Sequence, residues 1–454
     1  MVLVGVSGFG RPRILILVLL ALLILIWSPR LSKPRLLCFH PGCYYNDPHL
    51  LSPPKQTVDL SKADAPFIPW PLARVCAEAN HWTPGVVFIC DNNSGGIGNI
   101  RNYILTCIRY AIEAGATAIV LPQIRTRSAE DLSNIMLPHE PFTYFFDEAH
   151  FRRSFAIACP QITIYNSTSD IPHAPVPFKP EQITPHNFGK RGGCDKRELN
   201  KHTDRFGVQF AAHIENTTQE FHLPPPSPEH PRIIRFTWGV QFDWPVFRDG
   251  PEFVATFGGL LRFRQDILDL GYRTASYMRQ FASSQDGAST SKYIGIHLRT
   301  ESDALPRWPK YDDQATAYLE RAGAMSFKAA YLATGNRTEA KRLADAAEKE
   351  HGMAVITKHE LLQHHPEDLT KLEALTWDQQ ALIDFIVLLE SDYFLGVSPS
   401  SFSMNVALKR HLKTEGLYTR PWKIGGDGDG HSWLVGKYEH YWDDWLFMFD
   451  SMWP

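Results

Sequence analysis

Short apolar runs alternate with segments of helical periodicity along most of the chain. The first run is Gly85–Cys90 and the next is Ala118–Pro122. The segment between them, Asn99–Gly115, carries apolar residues at the spacing of one helix face: Ile104, Cys107, Ile108 and Ile112. This pattern predicts a strand, a helix and a second strand. We expect the connection to be right-handed, as such crossovers between parallel strands almost always are.

The following region has a weaker pattern. Gln161–Tyr165 and Arg232–Phe236 have the composition of strands, whereas residues 179–206 are polar and contain glycine, so no element is predicted there. Gly259–Phe281 is strongly helical in pattern. A domain boundary is predicted close to the start of that helix, between residues 258 and 259.

The alternation is clearest after residue 292. Four strands are predicted: Tyr293–Leu298, Ala329–Ala333, Met353–Thr357 and Tyr393–Val397. Helices are predicted at Gln314–Phe327, Glu339–Glu350, Trp377–Glu390 and Ser401–Leu412. Short apolar strands that alternate with helices indicate a parallel sheet buried on both faces. The fold class is therefore α/β, with two Rossmann-like domains (residues 83–258 and 259–454) that face a central cleft.

The N-terminus carries an unbroken apolar run, Ile14–Trp27, preceded by Arg11 and Arg13. The Ser28-Pro29-Arg30 sequence after it does not resemble a signal-peptide cleavage site. We therefore expect residues 1–27 to be a cytosolic tail and an uncleaved transmembrane signal anchor, with a cleaved signal peptide as the competing interpretation. Residues 28–82 are rich in proline and polar side chains and are interpreted as a stem.

Several features favour a lumenal location for the main body. Asn-x-Ser/Thr sequons occur at four positions: Asn92, Asn166, Asn216 and Asn336. All seven cysteines lie in the first 194 residues, which is compatible with disulfides that tie the stem to the first domain. The 46 basic residues are balanced by 49 acidic ones, and this balance argues against a nucleic-acid partner.

Polar residues follow the predicted strand Tyr293–Leu298. His297 and Arg299 are two positions apart and point to the same side, and Glu301 and Asp303 come next. Arginine has a planar fork of donors that suits a diphosphate, whereas an arginine–carboxylate pair at a strand end is the structural alternative. In open α/β sheets ligands bind beyond the carboxyl ends of the strands, so these residues are candidate ligands.

Two further strand ends have the composition of an anion site. Ser398–Ser403 opens a helix, where free backbone N–H groups and hydroxyls bind anions; a simple helix cap is the alternative. Asp91–Asn99 contains three glycines, among them Gly96 and Gly98, directly before a helix. Glycine allows a backbone to approach a ligand closely, although tight strand–helix packing also requires it.

Together these segments resemble the protein O-fucosyltransferase superfamily, including its plant-type and fungal relatives. The resembling motifs are HLRTESD, GGIGNIRN and DFIVLLESDYFLGVSPSSFSMNVALKR, in order between Phe88 and Arg410. The resemblance implies a GT-B fold, GDP-fucose as donor, inversion at the anomeric carbon, and no metal or other cofactor. It also implies that residues 83–258 form the acceptor side and residues 259–454 the donor side.

The resemblance assigns roles to individual residues. Arg299 is expected to bind the diphosphate and stabilise the leaving GDP, and His297 to hold the nucleotide. Asn99 is expected near the sugar and the acceptor, and Glu301 or Asp303 is a candidate general base. The remaining expected donor contacts are Asp303, Ser400, Ser401, Phe402, Gly96 and Gly98.

One departure from the family affects the donor. Related enzymes often carry an acid after Ala-Thr that reads guanine, whereas this chain has Ala333-Thr334-Gly335-Asn336. A transferase that uses another nucleotide sugar, or a non-catalytic lumenal glycan-binding protein, is therefore the alternative. A metal-dependent enzyme with Asp427-Gly428-Asp429 as its metal site is less favoured, because no buried strand precedes that loop. The expected location is the membrane of the Golgi or endoplasmic reticulum, as a single-pass type II protein with a protein or glycan acceptor.

Overall fold

Two parallel sheets of five strands each organise the computed structural model, which describes residues 58–79, 81–183, 201–285, 288–414 and 429–454. The first sheet has the order β5-β2-β1-β7-β6. Its strands are β1 Thr83–Ile89, β2 Ala116–Val120, β5 Thr163–Tyr165, β6 Glu181–Ile183 and β7 Arg232–Phe236. A short antiparallel pair, β3 Ile124–Arg125 and β4 His139–Glu140, extends from the end of β2.

The second sheet has the order β10-β9-β8-β11-β12, and every pair in it is parallel. Its strands are β8 Ile294–His297, β9 Ala329–Ala333, β10 Ala354–Ile356, β11 Tyr393–Val397 and β12 Ser432–Val435. Strands β8, β9 and β11 are buried along their whole length, as their unbroken apolar sequences require. The α/β class with parallel sheets is therefore confirmed.

Helices connect the strands and cover the sheets. In the first part of the chain they are α1 Pro69–Glu78, α2 Ile97–Glu113, α3 Glu148–Ala158, α4 Lys201–Glu220, α5 Pro251–Phe257 and α6 Gln265–Ser283. In the second part they are α7 Tyr311–Ala324, α8 Arg337–His351, α9 Lys358–Leu362, α10 Pro366–Glu373, α11 Trp377–Glu390, α12 Ser401–His411 and α13 Met448–Ser451. Single 3₁₀ turns lie at Phe142–Tyr144, Thr168–Asp170, Trp238–Val240, Val246–Asp249 and Gly258–Leu260.

The elements that were not predicted from the sequence include α1, α4 and β12. Helix α1 lies within the segment interpreted as stem, and it packs against α3 and α5. Helix α4 begins inside the stretch for which no element was predicted. Its aromatic residues Phe206 and Phe210 lie one turn apart, and Phe210 meets Phe88 of β1 with ring centroids 5.7 Å apart. Strand β12 was also not predicted.

The last residues of the chain return to the first sheet. Trp453 is buried between Phe253 and Phe257, and its backbone N–H donates to Asn102 Oδ1 of α2 at 3.1 Å. All described residues belong to one compact unit, residues 53–454. The predicted boundary between residues 258 and 259 falls between the two sheets and stays a prediction.

Two disulfides stabilise the first half. Cys76 of α1 is bonded to Cys159, at the end of α3, so the last part of the predicted stem is tied to the first sheet as expected. Cys90 is bonded to Cys107 of α2. Both bonds are buried. The other three cysteines, Cys38, Cys43 and Cys194, lie outside the described residues.

No helix in the described part of the chain is long and apolar enough to cross a membrane. The predicted anchor Ile14–Trp27 and most of the predicted stem lie outside that part. The sequon asparagines are all within it. Asn166 and Asn216 are exposed, whereas Asn92 and Asn336 are half-buried.

Candidate functional site

A cleft of about 1400 Å³ opens beyond the carboxyl ends of the strands. The segments after β1, β8, β9 and β11 all contribute to its walls. This placement agrees with the rule that ligands of open α/β sheets bind beyond the carboxyl ends of the strands. The predicted residues that line it are Gly96, Asn99, His297, Arg299, Glu301, Asp303, Ser400, Ser401 and Phe402. Gly98 is the one predicted site residue that does not line the cleft.

Arg299 lies at the centre of a charged network. Its Nη1 donates to Glu301 Oε2 at 2.6 Å, and its Nη2 donates to Asp303 Oδ1 at 2.7 Å. The side-chain amide of Gln314 holds the Arg299 backbone from both sides, at 3.0 Å and 2.9 Å. Two half-buried carboxylates and a fixed backbone therefore orient a guanidinium that still has N–H groups available to a ligand.

Both carboxylate oxygens of Glu301 accept hydrogen bonds within this network. Its Oε1 accepts from the backbone N–H of Gly335 at 2.7 Å, while Oε2 is held by Arg299. Burial raises the pKa of Glu301, but the charge of Arg299 and smaller contributions, among them the Gly335 backbone N–H, together outweigh burial, so the pKa lies below its usual range. A carboxylate with both oxygens occupied and a lowered pKa is a weak proton acceptor. The geometry thus argues against Glu301 as a general base and favours a positioning role.

Asp303 joins Arg299 to a second arginine that the sequence did not indicate. Arg127 donates from Nη2 to Asp303 Oδ2 at 2.7 Å, so one carboxylate holds two guanidinium groups. Burial tends to raise the pKa of Asp303, yet the two arginines bring it below its ordinary value. Asp303 is therefore also unsuited to take up a proton. Arg127 follows β3, in a region where no motif drew attention to it.

His297 contributes a neutral imidazole to the cleft. Its Nδ1 lies 2.6 Å from Ser403 Oγ, which also accepts the backbone N–H of Val397 at 3.1 Å. Burial lowers the pKa of His297 to about 4, so the ring is uncharged at neutral pH. We assign the tautomer in which the Ser403 hydroxyl donates to Nδ1, which puts the ring proton on Nε2. Nε2–H is then a donor for a bound ligand.

The amino end of α12 forms another wall. Ser400 is its N-cap, and its side chain accepts the N–H of Ser403 at 3.4 Å, so the cap predicted as the structural alternative is present. Ser401 and Phe402 also line the cleft, and their N–H groups belong to the first turn, which has no intrahelical acceptors. The ring of Phe402 lies 4.7 Å from that of His297. A helix terminus beside Arg299 suits an anionic ligand.

The glycine loop before α2 supports the cleft in two ways. Gly95 has φ +88, and a Cβ there would meet the side-chain amide of Asn99 at 2.8 Å. Gly96 has open space around its Cα on the cleft side. Gly98, predicted to contact the donor, instead packs against α12: a Cβ there would meet the carbonyl oxygen of Ser401 at 2.5 Å. The absence of a side chain at Gly98 lets two helix ends touch, and its predicted contact with the donor stays a prediction.

The departure at Gly335 has a structural counterpart. A Cβ at this position would lie 3.2 Å from Glu301 Oε1 and 3.6 Å from the ring of Trp377. The space in which an acidic side chain would begin is thus occupied by Glu301. Asn336 caps α8 through its side chain, which accepts the N–H of Glu339 at 3.2 Å, and it does not line the cleft.

Helix α11 brings further cleft residues that the motifs missed. Asp384 accepts from Lys358 Nζ at 2.6 Å and from the hydroxyl of Tyr331 at 2.7 Å. Asp378, at the start of the helix, is buried, and among the described residues its carboxylate accepts only the backbone N–H of Arg127, at 3.4 Å. Lys358 follows β10, and the carboxylates are spaced along one helix, so only the assembled structure brings them to the cleft.

The Asp-x-Asp alternative receives no support from the described residues. Asp429 is buried and bonded to His411 Nδ1 at 3.0 Å and to the N–H groups of His431 and Ser432. It does not line the cleft, and Asp427 lies outside the described residues. Within the described ranges, no group of three or more His, Cys, Asp and Glu side chains is arranged to hold a metal ion.

Arg410 lies behind the site rather than in it. It is completely buried, and its guanidinium donates to four backbone carbonyls, those of Leu388, Leu389, Ser391 and His431. It therefore braces the ends of α11 and β12 against α12. Overall the cleft contains more carboxylates than cations, so an anionic ligand must be held by the few donors aimed at it rather than by a general positive field.

One family model covers most of the chain. A family model described as GDP-fucose protein O-fucosyltransferase matches residues 87–413, and no curated protein matches the chain. Among solved structures, POFUT1 in complex with GDP-fucose is similar at 14% identity, over 79% of this chain and 99% of that chain, with a TM-score of 0.45. A mutant of Arabidopsis thaliana FUT1 in complex with GDP is similar at 11% identity, over 75% and 72%, with a TM-score of 0.36. The fucosyltransferase NodZ from Bradyrhizobium is similar at 13% identity, over 72% and 92%, with a TM-score of 0.35.

Proposed function

This chain belongs to the GDP-fucose protein O-fucosyltransferase family and is a glycosyltransferase, and we propose that it transfers fucose from GDP-fucose to a protein or glycan acceptor. Transfer inverts the anomeric carbon and needs no metal ion. The observation that carries the proposal is the position of Arg299, held by two carboxylates and directed into the cleft beside the amino end of α12.

The donor diphosphate is proposed to lie between Arg299 and the first turn of α12. The guanidinium uses one N–H of Nη1 and one of Nη2 in its bonds to Glu301 and Asp303. Its other N–H groups, with the backbone of Ser401 and Phe402 and Nε2–H of His297, provide donors for phosphate oxygens. Charge that develops on the leaving GDP is stabilised by groups already in place, which lowers the barrier without reorganisation.

The arrangement of the two sheets around this cleft is proposed to be that of a GT-B enzyme, with the donor on the side of the second sheet. Asn99, on the first sheet's side, is then close to the sugar and the acceptor. The cleft is also lined by Trp238 and Trp308, whose apolar rings suit the faces of sugars.

We place the enzyme in the endoplasmic reticulum or Golgi, anchored as a single-pass type II protein through Ile14–Trp27. The apolar run, the four sequons and the buried disulfides Cys76–Cys159 and Cys90–Cys107 support an oxidising lumenal environment for the main body.

The alternative is a transferase for another nucleotide sugar, which Gly335 favours because the expected acid is absent there. In that case Asp384, whose carboxylate is bonded to Lys358 in the same cleft, is the group that accepts a hydrogen bond from the nucleobase. Binding of GDP, UDP and ADP separates the two: the fucosyltransferase proposal requires a clear preference for GDP. A chain that bound no nucleotide would instead be the non-catalytic alternative.

The decisive variant is Arg299→Lys, which keeps the charge but removes the planar fork. We expect GDP affinity, measured by calorimetry, to fall by about tenfold or more, and the rate of GDP release from GDP-fucose by roughly 10² to 10³. The matched control is Arg307→Lys, because Arg307 is exposed and pairs with Asp443 at the surface. Equal affinity in wild type and Arg299→Lys would contradict the proposed diphosphate site.

A further inference from the structure

Asp378 differs from the other buried and half-buried carboxylates of the cleft, which are all paired with cationic side chains. Glu301 is paired with Arg299, Asp303 with Arg299 and Arg127, and Asp384 with Lys358. Asp378 is only 7% exposed, yet no cationic side chain among the described residues forms a salt bridge with it. Its Oδ2 accepts one long bond from the Arg127 backbone, and its Oδ1 accepts none within the described part of the chain.

The helix itself does not need this carboxylate. Acidic residues in a first turn often stabilise a helix by capping it. In α11 that task is already done by Thr376 and Gln379: the Thr376 hydroxyl accepts the N–H of Gln379 at 3.4 Å, and Gln379 Oε1 accepts the N–H of Thr376 at 3.1 Å. A buried carboxylate that has no salt bridge and is not needed to cap its helix is a candidate functional residue.

Asp378 lies close to the Arg299 network. Arg127 touches both: its backbone bonds Asp378, and its guanidinium bonds the Asp303 carboxylate that holds Arg299. The neighbouring Trp377 packs against Gly335, whose N–H is bonded to Glu301. Asp378 is therefore on the wall of the same cleft as the proposed diphosphate ligand.

The electrostatic environment supports a role in proton uptake. Burial raises the pKa of Asp378 to about 6, and the charge and backbone of Arg127 hold it from rising further. Glu301 and Asp303, in contrast, have lowered pKa values and occupied oxygens. A general base works best when its pKa is close to the working pH.

We propose that Asp378 is the general base that takes the proton from the acceptor hydroxyl. The acceptor oxygen forms the new bond to C1 of the sugar while the bond between C1 and the β-phosphate oxygen breaks, and GDP leaves with that electron pair. The hydroxyl proton moves to Asp378 Oδ1, which becomes a neutral carboxylic acid and later returns the proton to water. This inference rests on the proposed transfer from GDP-fucose.

The test uses the full chain, GDP-fucose and two small nucleophiles, because the natural acceptor is not needed. Water requires a base to become a nucleophile, whereas azide carries its own charge and does not. We expect Asp378→Asn to slow the hydrolysis of GDP-fucose by about 100-fold or more. Sodium azide is expected to restore GDP release in this variant, with fucosyl azide detected by mass spectrometry.

Controls separate a chemical role from a structural one. Asp378→Glu keeps a carboxylate and is expected to retain part of the hydrolysis rate. Glu373→Gln removes an exposed carboxylate of the same cleft and is expected to behave as wild type. GDP affinity, measured by calorimetry, is expected to be the same within about twofold in all of these variants, since Asp378 is not a nucleotide ligand.

Each outcome decides between clear alternatives. Hydrolysis by Asp378→Asn within threefold of wild type overturns the inference and leaves the proposed function intact. A slow variant that azide does not restore, or one that also loses GDP binding, shows a structural role and overturns it as well. A wild-type chain that neither binds GDP nor consumes GDP-fucose removes the proposed function, and the inference falls with it.

Discussion

The unpaired charge of Asp378 should be measurable as a cost in stability, independently of any assay of transfer. Replacing Asp378 by Asn preserves the size of the side chain and an oxygen that can accept the N–H of Arg127. The substitution removes only the charge that burial disfavours. We therefore expect Asp378→Asn to make the folded chain more stable at neutral pH, even though most substitutions at buried positions destabilise.

The magnitude follows from the pKa. Burial, partly offset by Arg127, raises the pKa of Asp378 from 3.8 to about 6. One pKa unit corresponds to about 1.4 kcal/mol, so the ionised carboxylate costs the folded state about 3 kcal/mol. Below pH 4 both folded and unfolded chains carry the proton and the cost is absent. The free-energy cost of ionised Asp378 grows as the pH rises from 4 to 6. Above pH 6 the carboxylate is ionised in both the folded and the unfolded chain, and the cost has its full value.

The assay is urea unfolding of wild type and Asp378→Asn at pH 4 and at pH 8. At pH 8 the variant is expected to be more stable by about 3 kcal/mol, and at pH 4 by less than about 1 kcal/mol. Glu373→Gln, on an exposed carboxylate, serves as the control and is expected to show no pH-dependent difference. A variant that is less stable than wild type at pH 8, or equally shifted at both pH values, would refute the reasoning.

Three further predictions concern packing, covalent bonds and metal. Gly98→Ala is expected to lower the free energy of unfolding, measured by urea titration, by about 1 to 3 kcal/mol, because a Cβ there meets the Ser401 carbonyl oxygen at 2.5 Å. Gly96→Ala, whose Cβ enters open space, is the control and is expected to leave the free energy of unfolding unchanged. Replacing Cys76 and Cys159 together by Ala is expected to cost about 4 kcal/mol, since the bond closes a loop of 83 residues; an unchanged unfolding midpoint would contradict this. EDTA is expected to leave the rate of GDP-fucose consumption unchanged, because protein groups supply the positive charge; a loss that manganese restores would indicate metal-dependent transfer.

Four of the five strands of the second sheet, all except β12, could be predicted from sequence because each is a short apolar run. Ala329–Ala333 and Tyr393–Val397 begin and end where the pattern places them. Helix α4 was not predicted, because its residues 201–220 look polar and its apolar face rests on a few widely spaced residues such as Phe206 and Phe210. Strand β12 follows residues 415–428, and its four residues carry little pattern of their own. Which sheet it joins depends on pairing with β11, a long-range contact that no local pattern reveals.

The candidate site divides in the same way. His297, Arg299 and Ser400 directly follow or end apolar strands, so their place at the cleft follows from the sheet rule. The packing of Gly98 against α12 could not be predicted, because a glycine at a helix start looks the same whether a ligand or another helix approaches it. Arg127 and Asp378 were missed because they meet only through a contact between positions 251 residues apart in sequence.

The contact at Gly98 joins two helix ends of the same polarity. Helix α2 and helix α12 both present their amino ends there, and each end carries about half a positive charge. Partial charges of the same sign repel, so the two amino ends repel each other at this contact. A negatively charged diphosphate bound beside this contact would attract both helix amino ends and offset their repulsion. The nucleotide would then act as a clamp between the two parts of the chain, and slower amide exchange in the first turns of both helices would report its arrival.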